Sequence, residues 1–107
     1  MVVYEVNLAV DTAIAEAFRA WLPEHVADLL ALPGFESAEI FALDEPVPAA
    51  GTVGLCVQYR LRDRAALDAY LCDQAGPMRA AAVARFGDRF RATRRVLAKV
   101  PEPARSD

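Results

Sequence analysis

The side chains of this 107-residue chain that are best suited to chemistry fall into two sets. The first is Asn7, Trp21 and His25, and the chain has no second tryptophan or histidine. An imidazole changes charge near neutral pH and can act as a general base or acid. An indole offers a flat apolar wall, and an amide can orient a carbonyl or hydroxyl. These three are the candidate catalytic residues. The second set is Glu5, Gln58, Arg60 and Arg95, in which an arginine can clamp a carboxylate while amides orient it, so these are the candidate ligand-binding residues. A competing expectation needs no ligand: a Glu5 to arginine pair, completed by Gln58 and Asn7, satisfies its own buried charge. For His25 the competing expectation is a hydrogen-bonded core residue.

Other chemistries lack their residues. There is no Gly-rich phosphate loop, Ser-His-Asp or Cys-His set, HExxH helix or EF-hand loop. With one histidine and no CxxC, neither a metal site nor a cofactor is expected. Cys56 and Cys72 are expected to be free, buried thiols.

The elements that must position these side chains are legible from hydrophobic spacing. Residues 51–62 alternate Val53, Leu55, Val57, Tyr59 and Leu61 with Gly54, Cys56, Gln58 and Arg60, the period of a strand. With no proline or inward charge cluster to protect an open edge, it is expected in the middle of a sheet. Val2 to Val10 alternates likewise, with Glu5 and Asn7 on its more polar side. Asp11 or Thr12 is expected to cap a helix whose buried face is Ile14, Phe18, Trp21, Leu22, Val26 and Leu29, with His25 among them. Pro23 should kink or break that helix, and Leu32-Pro33-Gly34 should end it. A second strand over 35–43 is expected to place Phe35, Ser37, Glu39, Phe41 and Leu43 on one face. After a loop over 44–51, the third strand and an Asp63 cap, a helix presents Leu67, Tyr70, Leu71 and Gln74. Gly76-Pro77 should interrupt it, and a restarted helix, 77–86, should turn Met78, Ala82, Val83 and Phe86 inward. Residues 89–100 read as a fourth strand, and 101–107 as a disordered tail following a single domain over 1–100.

The order is β-α-β-β-α-β. This is the ferredoxin-like α+β arrangement, a four-stranded antiparallel sheet in order 4-1-3-2 with both helices on one face. The other face is expected to carry enough apolar side chains to require cover, because each exposed Val, Leu or Phe forfeits roughly 1.5–3 kcal/mol. A second copy supplies that cover, so a homodimer closing into an α+β barrel is expected. Charge agrees with this pairing. Residues 1–50 hold nine acids against one base, net −8, whereas residues 51–107 hold six acids against eleven bases, net +5. Acidic strand 2 and its loop (Glu36, Glu39, Asp44, Glu45) would meet basic strand 4 (Arg89, Arg91, Arg94, Arg95, Lys99) of the partner.

The segments YEVNL, Trp21-Leu22-x-x-His25, Leu32-Pro33-Gly34-Phe35, Gln58-Tyr59-Arg60-Leu61, 63–71, 84–90 and Arg94-Arg95-Val96-Leu97 together resemble a bacterial family of roughly hundred-residue proteins that carry a domain of unknown function. The resemblance spans about residues 2–98. It implies the dimeric α+β barrel fold and brings no established reaction. Asn7, Trp21 and His25 also invite comparison with cofactor-independent and haem-degrading monooxygenases of the same fold. In those enzymes the tryptophan and histidine come largely from later in the chain, so the match is partial.

The functional expectation is a homodimeric small-molecule-binding or accessory protein, with a cofactor-independent or haem-dependent monooxygenase-like enzyme as the alternative. No apolar run approaches the roughly 20 residues of a membrane span, and MVVYEVNLAV lacks a basic n-region, so a cytoplasmic protein is expected. Nucleic acid is not expected as a partner. The chain carries net charge −3, and strand 3 offers only Tyr59, on its apolar face, for the base stacking that RNA-binding sheets perform.

Overall fold

Alternation of apolar and polar side chains produces four strands in the computed structural model, which describes residues 1–102. They are β1 (Val2–Asp11), β2 (Phe35–Ala42), β3 (Thr52–Leu61) and β4 (Phe90–Ala98). All neighbours are antiparallel, in the order β2-β3-β1-β4, so β3 and β1 are the inner strands. The chain has a ferredoxin-like α+β fold. The helices are α1 (Ala15–Leu30), α2 (Arg64–Asp73) and α3 (Ala75–Phe86). Most of the tail expected to be disordered, residues 103–107, lies outside the described residues.

The sheet buries one face against the helices. Phe18, Leu22, Val26 and Leu29 of α1 meet Tyr4, Leu8 and Val10 of β1 and Leu55, Val57, Tyr59 and Leu61 of β3 in one core. Phe18, Leu61, Leu67, Val10 and Val57 are its most enclosed large side chains, each worth roughly 1.5–3 kcal/mol of burial. Asp63 caps α2 by accepting a hydrogen bond from the Ala66 N–H at 2.9 Å. Gly34, at φ 83°, turns the chain into β2, and a Cβ added there would stand 2.4 Å from that of Ala66. Only glycine meets both demands.

Several local expectations are corrected. A short 3-10 turn, Thr12–Ile14, precedes α1, and no side chain caps either element. α1 runs through Pro23 without a break, with that proline on its exposed side. The division between α2 and α3 falls at Gln74, so Pro77 sits inside the first turn of α3, where backbone N–H groups have no helical partner to lose. In β2, Phe35 pairs with Leu61 and Ser37 with Arg60, two steps on one strand against one on the other. This bulge turns Phe35 onto the helix side, where it packs edge-on against Tyr59 and Tyr70. Val83 is 55% exposed and Gln74 is exposed, against the inward positions expected.

The face away from the helices is also less apolar than expected. Its centre is Glu5, Asn7, Gln58 and Arg95, and its exposed large apolar residues, Phe41, Leu43 and Leu97, lie on the outer strands or just past them. Tyr4 and Tyr59 both face the core, leaving no aromatic platform on the open side of β1 and β3. Among the described residues, no helix is long and apolar enough to cross a membrane.

Candidate functional site

Strand register assembles the open-face polar cluster. Glu5 of β1 lies opposite Gln58 of β3 on one side and Arg95 of β4 on the other, so the three share a single rung. Asn7 projects on the same face two residues later. The Glu5 carboxylate accepts from Gln58 Nε2 at 3.0 Å, from Asn7 Nδ2 at 2.9 Å and from Arg95 Nε. These donors hold its pKa down to about 2 against the opposing cost of burial, Arg95 contributing most. Arg60 stays outside the cluster and pairs instead with Glu39 of β2 at 2.6 Å. Of the four candidate ligand-binding residues, Glu5, Gln58 and Arg95 meet and satisfy one another.

Asn7 is therefore on the opposite side of the sheet from Trp21 and His25. The three candidate catalytic residues do not form one site, because the odd-numbered residues of β1 at this point face away from α1. Asn7 instead borders a shallow recess with Cys56 and Thr93, beneath Leu43 and the loop that follows it. Cys56 is half-buried there, its thiol pKa raised by burial and by Glu5. Cys72 is free but exposed, not buried as expected, since it lies two residues beyond inward-facing Tyr70 on the solvent side of α2.

Trp21 and His25 do share a site. Their rings stack at 4.5 Å between centroids and 20° between planes. They border a cavity of about 330 Å³ between the sheet and helices α1 and α3. Phe18 and Phe90 close its apolar end around Trp21, Phe86 packs against Phe18 and Trp21, and Phe18 is in contact with all three other rings. At the other end stand the phenols of Tyr4 and Tyr70 with the guanidiniums of Arg79 and Arg94. Arg79 Nη2 donates to the Tyr4 hydroxyl at 3.2 Å. Burial pushes the Tyr70 phenol up to about 12, with both arginines pulling it the other way. Burial likewise lowers the pKa of His25, so its imidazole is neutral at pH 7. Among the described residues His25 makes no side-chain hydrogen bond, unlike the bonded core histidine that was the competing expectation.

Arg79 and Arg94 were absent from the candidate sets. Arg94 shares its strand face with Phe90, Ala92 and Val96, and an arginine in such a stripe was the available signal. Arg79 lies three, four and seven residues before Ala82, Val83 and Phe86, on the same helical face. Among the described residues, no three His, Cys, Asp or Glu side chains gather as a metal site would require.

The family described as "Domain of unknown function (DUF4286)" matches over residues 1–100. The chain belongs to that family. No curated protein matches it significantly. Among solved structures, it is similar to Rv0793 from Mycobacterium tuberculosis at 24% identity, covering 97% of this chain and 100% of that one, with a TM-score of 0.64. An antibiotic biosynthesis monooxygenase aligns at 18% identity over 94% and 100% of the two chains, with a TM-score of 0.68. SnoaB, a cofactor-independent oxygenase from Streptomyces nogalater, aligns at 17% identity over 94% and 95%, with a TM-score of 0.61. At these identities the likeness is one of fold. This DUF4286 chain thus shares the fold of an antibiotic biosynthesis monooxygenase and of SnoaB.

Proposed function

We propose that this DUF4286 protein binds a small molecule in the cavity between sheet and helices, and does so as a cytoplasmic homodimer paired across the open sheet face. The observation that carries the binding role is the cavity itself. Its volume falls within the roughly 300–1,000 Å³ of small-ligand sites, and a mostly apolar wall with a few converging polar groups is their usual form. Free thiols at Cys56 and Cys72 accord with a reducing compartment. Pairing is supported by exposed Phe41, Leu43 and Leu97 and by the acidic β2 and basic β4 edges.

The test is native mass spectrometry of protein purified from its own host. The expected result is a mass near twice the chain plus a reproducible increment, the increment being lost in Ala82→Phe, which fills the cavity. A monomer rules out the pairing, and an increment that survives Ala82→Phe places the guest elsewhere. Arg91→Glu is expected to weaken the dimer at low salt, where rim charges act most strongly.

A second reading, a cofactor-independent oxygenase, is favoured by one observation: a neutral imidazole without a hydrogen-bond partner, at the wall of the cavity, is free to accept a proton from a bound guest. Oxygen uptake with electron-rich phenols, abolished by His25→Ala in a protein that remains folded, is the expected signature of that reading. Equal uptake by the wild type and the variant removes it.

A further inference from the structure

The cavity has no acid of its own. Among the described residues that line it there is no aspartate or glutamate, yet Arg79 and Arg94 both reach it. Of the ten described arginines, Arg60, Arg62, Arg64, Arg91 and Arg95 each hold a carboxylate. Neither Arg79 nor Arg94 has such a partner among the described residues. The register sets Arg94 beside Val6, two residues from Tyr4, and Arg79 donates to Tyr4, so the two cations share the polar end of the cavity. The tyrosine phenols beside them are neutral hydrogen-bond donors and offer no charge in return. At the opposite end, Phe18, Trp21 and Phe90 present flat apolar surface, with Phe86 packed on Phe18 and Trp21.

We infer that the guest is a small, flat, apolar acid whose carboxylate is held by Arg79 and Arg94 while its ring system lies against Trp21 and the phenylalanines. This rests on the reading of the cavity as a small-molecule site. Guanidinium suits the task because its planar fork matches a carboxylate, and its hydrogen bonds to a charged acceptor are about twice as strong as neutral ones. The phenols of Tyr4 and Tyr70 add donors to the same oxygens, and the apolar wall rejects heavily hydrated acids such as sugar acids.

A matched pair of probes separates the charge from the ring. 2-Naphthoate and its neutral isostere 2-naphthamide are titrated into ¹⁵N-labelled protein, and the single indole N–H resonance of Trp21 is followed. In the wild type, naphthoate is expected to bind at least about tenfold more tightly than naphthamide. Arg79→Gln and Arg94→Gln are each expected to weaken naphthoate about tenfold and to leave naphthamide unchanged, while Arg94→Lys restores part of the preference. Equal affinity for the two probes in the wild type overturns the acid inference while leaving the cavity as a site. An arginine variant that weakens both probes alike assigns that arginine to packing and also overturns it. If neither probe moves the Trp21 resonance, the reading of the cavity as a site fails, and the acid inference fails with it.

Discussion

The two sides of the sheet handle polar groups in opposite ways. On the open side, Glu5 spends its carboxylate on Gln58 and Arg95 of its own rung and on Asn7 two residues along β1, so the charge and the amides answer one another. On the helix side, Arg79 and Arg94 border a cavity that no aspartate or glutamate among the described residues lines. A cluster of polar residues is conspicuous in a sequence whether or not it is satisfied. The difference teaches that partnership, more than polarity, separates a structural network from a binding site, because an unanswered charge at a cavity wall gains from a guest and a paired one does not.

If that contrast is right, changes on the open side alter stability and changes at the cavity alter binding. The largest effect is expected where the two roles coincide. Phe18 is both core and cavity wall, and Phe18→Ala should cost about 3–5 kcal/mol in urea unfolding while also loosening the guest. Next comes the titration of Glu5. Its folded pKa, about 2, lies below the unfolded value of 4.5, so its contribution is present above pH 4.5 and is lost as the pH falls toward 2. The wild type should lose on the order of 3 kcal/mol across that window, and Glu5→Gln should show a flatter profile; equally steep profiles would assign the acid sensitivity to other carboxylates. Arg95→Ala leaves the Glu5 charge with two amides only and should lower the urea midpoint without changing affinity for any cavity guest. A loss of binding in that variant would break the contrast. The smallest effect is expected from His25→Phe, which keeps a ring on Trp21 and should shift stability by less than about 1 kcal/mol while altering guest binding or turnover.

Much of this was legible in the chain. Period-two alternation gave the four strands, their order followed from the β-α-β-β-α-β sequence, and that order brought Glu5, Gln58 and a strand-4 arginine to one rung. The failures have local physical causes. Alternation cannot reveal a bulge, so Phe35 was placed on the wrong face. The same alternation assigns Asn7 to one side of β1 but does not say which side the helices cover, and so Asn7 was grouped with Trp21 and His25. Helical spacing put Val83 inward because it sees the face and not the mouth of a cavity. Arg79 was not singled out, and Arg94 was named only among the basic residues of strand 4, for a related reason: a lone cation in an apolar stripe means little until the empty volume beside it is visible.

The bulge in β2 bears on how the length of this chain can vary. Glu36 is the extra residue between Phe35, opposite Leu61, and Ser37, opposite Arg60. Its deletion would restore plain alternation from Phe35 into Ser37 and leave every later β2 side chain on its present face. Loss of one residue in the middle of β2, for example Ile40, would instead swap the faces of the residues on one side of the gap, bringing Glu39 or its neighbours to the wrong surface. The strand therefore carries one expendable position among residues whose count is otherwise fixed, and natural gains and losses of a residue in β2 are expected to collect at Glu36.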